Sequence, residues 1–219
     1  SMNLDPCPPA QAERILDGES LRPGLVAAAP GYGSKLARSG FGAPSLPRWC
    51  VWVQPSAAGD ADRWERRWLQ GVNAALDSWA KLLPIVRVDE PRRAHVRVER
   101  RRPPLRQLSE GWRASNGRSL LQVLEVKRAD RSLLEPRVTV LVSPELRALA
   151  LRATALHELG HAFGLWGHSD NPADAMAPVQ GASPVLEPSE DDRLTLEWIR
   201  RQPTGFGQPL PPEARADDA

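Results

Sequence analysis

The stretch "HELGHAFGLWGHSDNPADAM", residues 157–176, concentrates metal-binding side chains around a single carboxylate. His157 and His161 stand four apart, so on a helix they share one face about a turn apart and can hold one ion between them. Zinc accepts imidazole nitrogen at about 2.0–2.1 Å. Glu158 is rotated by about 100° from His157, so it can reach a metal-bound water without being a ligand. Such a water has its pKa lowered toward about 7. A Lewis acid, a nucleophile and a general base together make a hydrolytic centre. Gly164 stands where the helix must end and the chain turn back, and glycine reaches positive φ without penalty. His168 follows that turn, and Met176 comes eight residues later.

These side chains need elements to place them. The motif helix is preceded by Ser143 as N-cap and Pro144 at the first helical position. It runs through "ELRALALRATALHELGHAF" with few charges, as a helix buried on most sides does. A second helix is expected over 61–83, where Trp64, Trp68, Val72, Leu76, Trp79 and Leu83 recur at three- and four-residue spacing and Pro84 ends the pattern. A third is expected over "SEDDRLTLEWIRRQ", with Ser189 and Asp192 as a capping box. Alternating apolar residues predict strands at "WCVWV" (49–53), "IVRV" (85–88), "HVRVER" (95–100), "LLQVLEVKR" (120–128) and "RVTVLVS" (137–143). The last two read as a pair joined by a polar loop. A short helix is expected near Gln11–Leu16, within an N-terminal extension rich in Pro, Gly and Ala.

The fold class is therefore α/β or α+β: a sheet backed by two helices, with a loop-rich part after the motif. Three regions are expected: an extension or pro-segment over 1–46, a catalytic domain over 47–205, and a disordered tail over 206–219. With 219 residues the chain can bury one sizeable core. Its net charge of +2 and scattered arginines give no basis for nucleic-acid binding. No apolar run approaches the roughly 20 residues of a membrane span, and a monomer is expected. Cys7 and Cys50 are the two cysteines. They are compatible with a disulfide in an oxidising compartment, with a thiolate of Cys7 reaching the metal, or with no role.

The motif resembles the metzincin clan of zinc endopeptidases, HExxHxxGxxH followed by a Met-turn. "WGHS" and "DAMAP" are similar to the matrixin family, and within it to the short matrixin-like peptidases of cyanobacteria. "PRW" at the domain start, the "LLPIVRV…HVRV" strands and "PSEDDRLTLEWI" extend the likeness over about 47–205. The resemblance implies a twisted five-stranded mixed sheet over an active-site helix. It implies His157, His161 and His168 as zinc ligands, Glu158 as catalytic base, and Met176 as a floor below the metal. Pro178–Gln180 would wall the main specificity pocket. The edge strand 120–128 would pair with an extended protein or peptide substrate. A secreted or periplasmic location follows from the same likeness.

The chain departs from that pattern in one place. The third ligand should fall six residues after His161, where Gly167 stands and has no side chain to ligate. His168 is the favoured ligand, because imidazole suits zinc and its spacing to Met176 is the matrixin one; Asp170 is the rival. Of four histidines only His95 lies outside the motif, so a second zinc site built from histidines is excluded. A structural calcium remains open, since carboxylates and carbonyls suffice for it. The leading function is a zinc endopeptidase. The alternatives are a zinc amidase acting on cell-wall peptides and a non-catalytic zinc-binding module, the last of which has no need of Glu158.

Overall fold

The computed structural model describes residues 4–16, 18, 21–24, 28–57, 59–108, 111–113, 115–179 and 182–212. In chain order the strands and helices are β1 (Ala10–Ile15), β2 (Arg22–Pro23), β3 (Ala37–Arg38), β4 (Trp49–Val53), α1 (Arg63–Ala80), β5 (Ile85–Val88) and β6 (Val96–Arg100). There follow β7 (Arg106–Leu108), β8 (Gly111–Arg113), β9 (Gly117–Arg128), β10 (Arg131–Val142), α2 (Ala148–Ala162) and α3 (Glu190–Arg201). The main sheet is mixed, in the order β1-β9-β10-β6-β4-β5. Strands β5, β4, β6 and β10 are mutually parallel, while β9 and β1 run antiparallel to their neighbours. The sheet thus has six strands where the family likeness implies five, and β1 is the addition.

Local chemistry explains most of the elements. Asp62 caps α1 and forms a reciprocal capping box with Glu65. The α1 face that carries Trp68, Val72, Leu76 and Trp79 is buried. Gly71 lets α1 lie close to α2, since a Cβ there would stand 2.4 Å from the Leu151 side chain. The indole N–H groups of Trp68 and Trp79 donate to Val142 O and Leu156 O, tying α1 to the end of β10 and to the helix residue just before His157. The expected capping box of Ser189 and Asp192 opens α3.

Two expected elements differ. The Gln11–Leu16 segment is a strand, not a helix: six residues gain little from helix nucleation, whereas the edge of β9 offers a full set of backbone partners. The Glu13 carboxylate is also gripped by both terminal nitrogens of buried Arg137. The motif helix begins at Ala148, with Arg147 rather than Ser143 as N-cap. The Ser143 N–H donates to Asn116 O, which prolongs the β-ladder past β10.

The β9–β10 hairpin is longer than expected. It closes through Ala129 and Asp130, both at positive φ, in a two-residue turn. Pro136 sits inside β10 but outside the stretch paired with β6.

Packing extends beyond residues 47–205. Tyr32, Leu36, Ala43 and Leu46 join the core, as do Phe206 and Leu210. Of the tail expected over 206–219, Phe206 and Leu210 are buried in this core; residues 213–219 lie outside the described residues. Cys7 and Cys50 are joined by a disulfide, so Cys7 has no thiolate to offer a metal.

Candidate metal centre

Helix α2 carries His157 and His161 into a cleft of about 370 Å³, and the returning chain adds His168. The ligand atoms of the three histidines all lie within 4.8 Å of one another, and the group could hold a metal ion. The ring centroids of His157 and His161 are 4.8 Å apart, those of His161 and His168 5.0 Å. Among the described residues no other group of three or more His, Cys, Asp or Glu side chains is drawn together in this way.

The backbone fixes which nitrogen is free. His157 Nδ1 lies 2.9 Å from Ala175 O, and His161 Nδ1 lies 2.7 Å from Leu165 O. A carbonyl can only accept, so each Nδ1 carries the proton and each Nε2 keeps its lone pair for a metal. Burial also disfavours the imidazolium forms. It lowers the pKa of His157 and His168 and, reinforced by the neighbouring histidines, holds His161 at about 3. Three neutral imidazoles facing one point form a donor set that suits zinc.

The third histidine arrives through a turn built on two glycines. Gly164 has φ of +117°, as its place after the helix requires. The reversed chain brings Leu165 O to His161 and lays Trp166 on the His161 ring, centroids 5.4 Å apart. A Cβ on Gly167 would stand 2.4 Å from Lys35 O, so only glycine fits where the extra residue passes the 3-10 turn Gly33–Lys35. His168 then reaches the site. The Asp170 carboxylate is instead paired with Lys35 Nζ and is not in the group.

Met176 is fully buried against Gly160 of α2, where any Cβ would meet its sulfur at 2.3 Å. The turn bearing Met176 is held by Asp192 of α3, whose Oδ2 accepts from Ala175 N at 2.7 Å and Ser189 N at 2.8 Å. The same carboxylate takes the Tyr32 hydroxyl on its other oxygen. Ala175 therefore links α3 to His157 through its two backbone groups. Pro178 and Val179 follow this turn; Gln180 lies outside the described residues.

Glu158 lines the same cleft and is 9% exposed. Burial pushes its carboxyl up to about 7, opposed by a hydrogen bond from Ser119 and by the charges of Arg106 and Arg118. Ser119 Oγ lies 2.9 Å from Glu158 Oε1 and 2.8 Å from Glu158 O. Gly117 makes room for this contact, since a Cβ there would stand 2.8 Å from Glu158 Cγ. Neither Ser119 nor Gly117 is visible in the motif, because β9 and α2 meet only in the fold. An alternating strand with a serine on its inward face is the one signal the sequence offers.

The expected edge strand is only partly free. Strand β1 pairs with Leu124–Arg128 of β9, and Leu16 N donates to Val123 O. Leu21, farther along the N-terminal arm, lines the cleft itself. The chain matches no family model and no curated protein.

Proposed function

We propose that this chain is a zinc-dependent endopeptidase that hydrolyses peptide bonds in extended polypeptide. The observation that carries the reading is the convergence of three neutral imidazoles on the cleft wall that also bears Glu158. A site that only stored a metal would have no use for a buried carboxyl beside it, and burying one is costly. His157, His161 and His168 would hold the ion, which supplies Lewis acidity toward the scissile carbonyl and acidifies the attacking water. Glu158 would take a proton from that water and return it to the leaving amine. Ser119 keeps the carboxyl in the cleft during the exchange. The free part of β9, beside Glu158, would pair with the substrate main chain. The Cys7–Cys50 disulfide suits a secreted or periplasmic protein, and the matrixin likeness of the motif agrees with all of these roles.

Loading the protein with Zn²⁺ should give one ion per chain and a peptidase activity that a chelator removes and Zn²⁺ restores. Glu158→Ala should keep the metal and lose about 10²-fold or more in turnover. His168→Ala should weaken metal binding far more than Asp170→Ala. Near-normal peptide hydrolysis by Glu158→Ala would end the proposal for that residue, and the reverse order of metal affinities would make Asp170 the third ligand.

A further inference from the structure

Two guanidinium groups stand on the wall of the histidine cleft. Arg106 comes from β7 and Arg118 from β9, and both line the cleft beside Glu158. Among the described residues neither forms an ion pair or a side-chain hydrogen bond. Three arginines of the main sheet have carboxylate partners: Arg100 has Glu65, Arg128 has Glu135 and Arg137 has Glu13.

Glu158 is the one carboxylate on the described cleft wall, and its Oε1 already accepts from Ser119. Arg118 also sits in the part of β9 that β1 leaves unpaired, where β1 covers only Leu124–Arg128. An extended peptide added to that edge would run its side chains past Arg118. A guanidinium fork binds carboxylate through two parallel hydrogen bonds; Arg106 is exposed and Arg118 partly buried, which strengthens the attraction at Arg118.

We propose that Arg106 and Arg118 form a carboxylate-recognising subsite of the cleft, selecting extended peptides with an acidic side chain or a free C-terminal carboxylate close to the bond that is cut. This rests on the peptidase reading above. It makes the two arginines determinants of specificity rather than of the chemical step.

The test uses the full zinc-loaded chain and fluorogenic peptides identical but for one position, occupied by Glu, Gln or Lys on either side of the cleaved bond. Each is made with a free and an amidated C-terminus. Wild type should favour a carboxylate-bearing peptide over its neutral counterpart by about tenfold in kcat/KM, the size expected of a charge-assisted hydrogen bond. A preference that follows Glu against Gln assigns the side chain, and one that follows amidation assigns the chain end. Arg106→Gln/Arg118→Gln should bring the preference ratio to within about twofold of one. Arg118→Glu should turn it toward Lys, a gain that misfolding cannot produce. Equal cleavage of acidic and neutral peptides by wild type, or a preference that survives the double substitution, overturns the subsite. The same labelled peptides are also titrated against zinc-loaded Glu158→Gln protein by fluorescence anisotropy. If no peptide is cleaved but this binding still favours the carboxylate and loses that bias in the double variant, the subsite stands and the peptidase reading falls.

Discussion

Glu158 holds its proton to about pH 7 because burial opposes its charge, whereas the ordinary value is 4.5. An unfolded chain releases that proton above about 4.5, while the folded, metal-free chain keeps it until about 7. The unfolded state is therefore favoured progressively as pH rises through this window. The penalty is absent below 4.5 and complete above 7, where it is about 3 kcal/mol. Glu158→Gln keeps an acceptor for the Ser119 hydroxyl and carries no charge. In urea unfolding with a chelator present, the variant should be the more stable by about 2–3 kcal/mol at pH 8, with no difference near pH 4. Parallel stability curves across that range would show that the carboxyl is not held in a costly environment.

At the scale of elements, the site depends on the approach of β9 to α2. Gly117 begins β9, and a Cβ there would meet the Thr154 side chain at 2.7 Å, Glu158 Cγ at 2.8 Å and Leu141 O at 3.2 Å. The Leu141 carbonyl belongs to the β-ladder and cannot retreat, so the strand or the Glu158 side chain must move. On the peptidase reading, Gly117→Ala should lower kcat by about tenfold or more by misplacing Glu158, with zinc content unchanged because no ligand touches the new methyl. Loss of zinc from the variant would instead mean that the strand holds the whole helix end in place. Similar reasoning applies to α3, whose Asp192 braces the Met176 turn and, through Ala175, the imidazole of His157.

For the whole molecule, the notable feature is an N-terminal arm bound at several points. Its start is joined to β4 by the disulfide, its strand lies on β9, and its later part enters the core at Tyr32 and Leu36. The Arg93 side chain adds hydrogen bonds to Asp5 and to Cys7 O. The disulfide closes a loop across a sequence separation of 43 residues, for which loop-closure entropy gives about 4 kcal/mol. The Cys7→Ser/Cys50→Ser protein should lose about 2–4 kcal/mol in denaturant unfolding. Wild type in reductant should fall by a similar amount. A loss near zero would mean that β1 pairing and the arginine contacts suffice to hold the arm.

The sequence by itself determined whatever depends on neighbours a few residues apart. Helix α1 follows from tryptophans and leucines at three- and four-residue spacing, α3 from the Ser189–Asp192 capping box, and the turn at Gly164 from the one residue suited to its φ. The pairing of His157 with His161 belongs to the same class, since a helix fixes their relation. Tertiary structure decided everything that spans the chain. It made a strand of Gln11–Ile15, because the edge of β9 outweighs the weak helical preference of six residues. It carried the ladder to Ser143, and α2 begins only at Ala148. It brought His168 rather than Asp170 to the other histidines, because Lys35, more than a hundred residues earlier, takes the aspartate and leaves room for nothing larger than Gly167. It also placed Ser119, Arg106 and Arg118 around Glu158. No local pattern encodes those contacts, because each forms only when separate elements pack together.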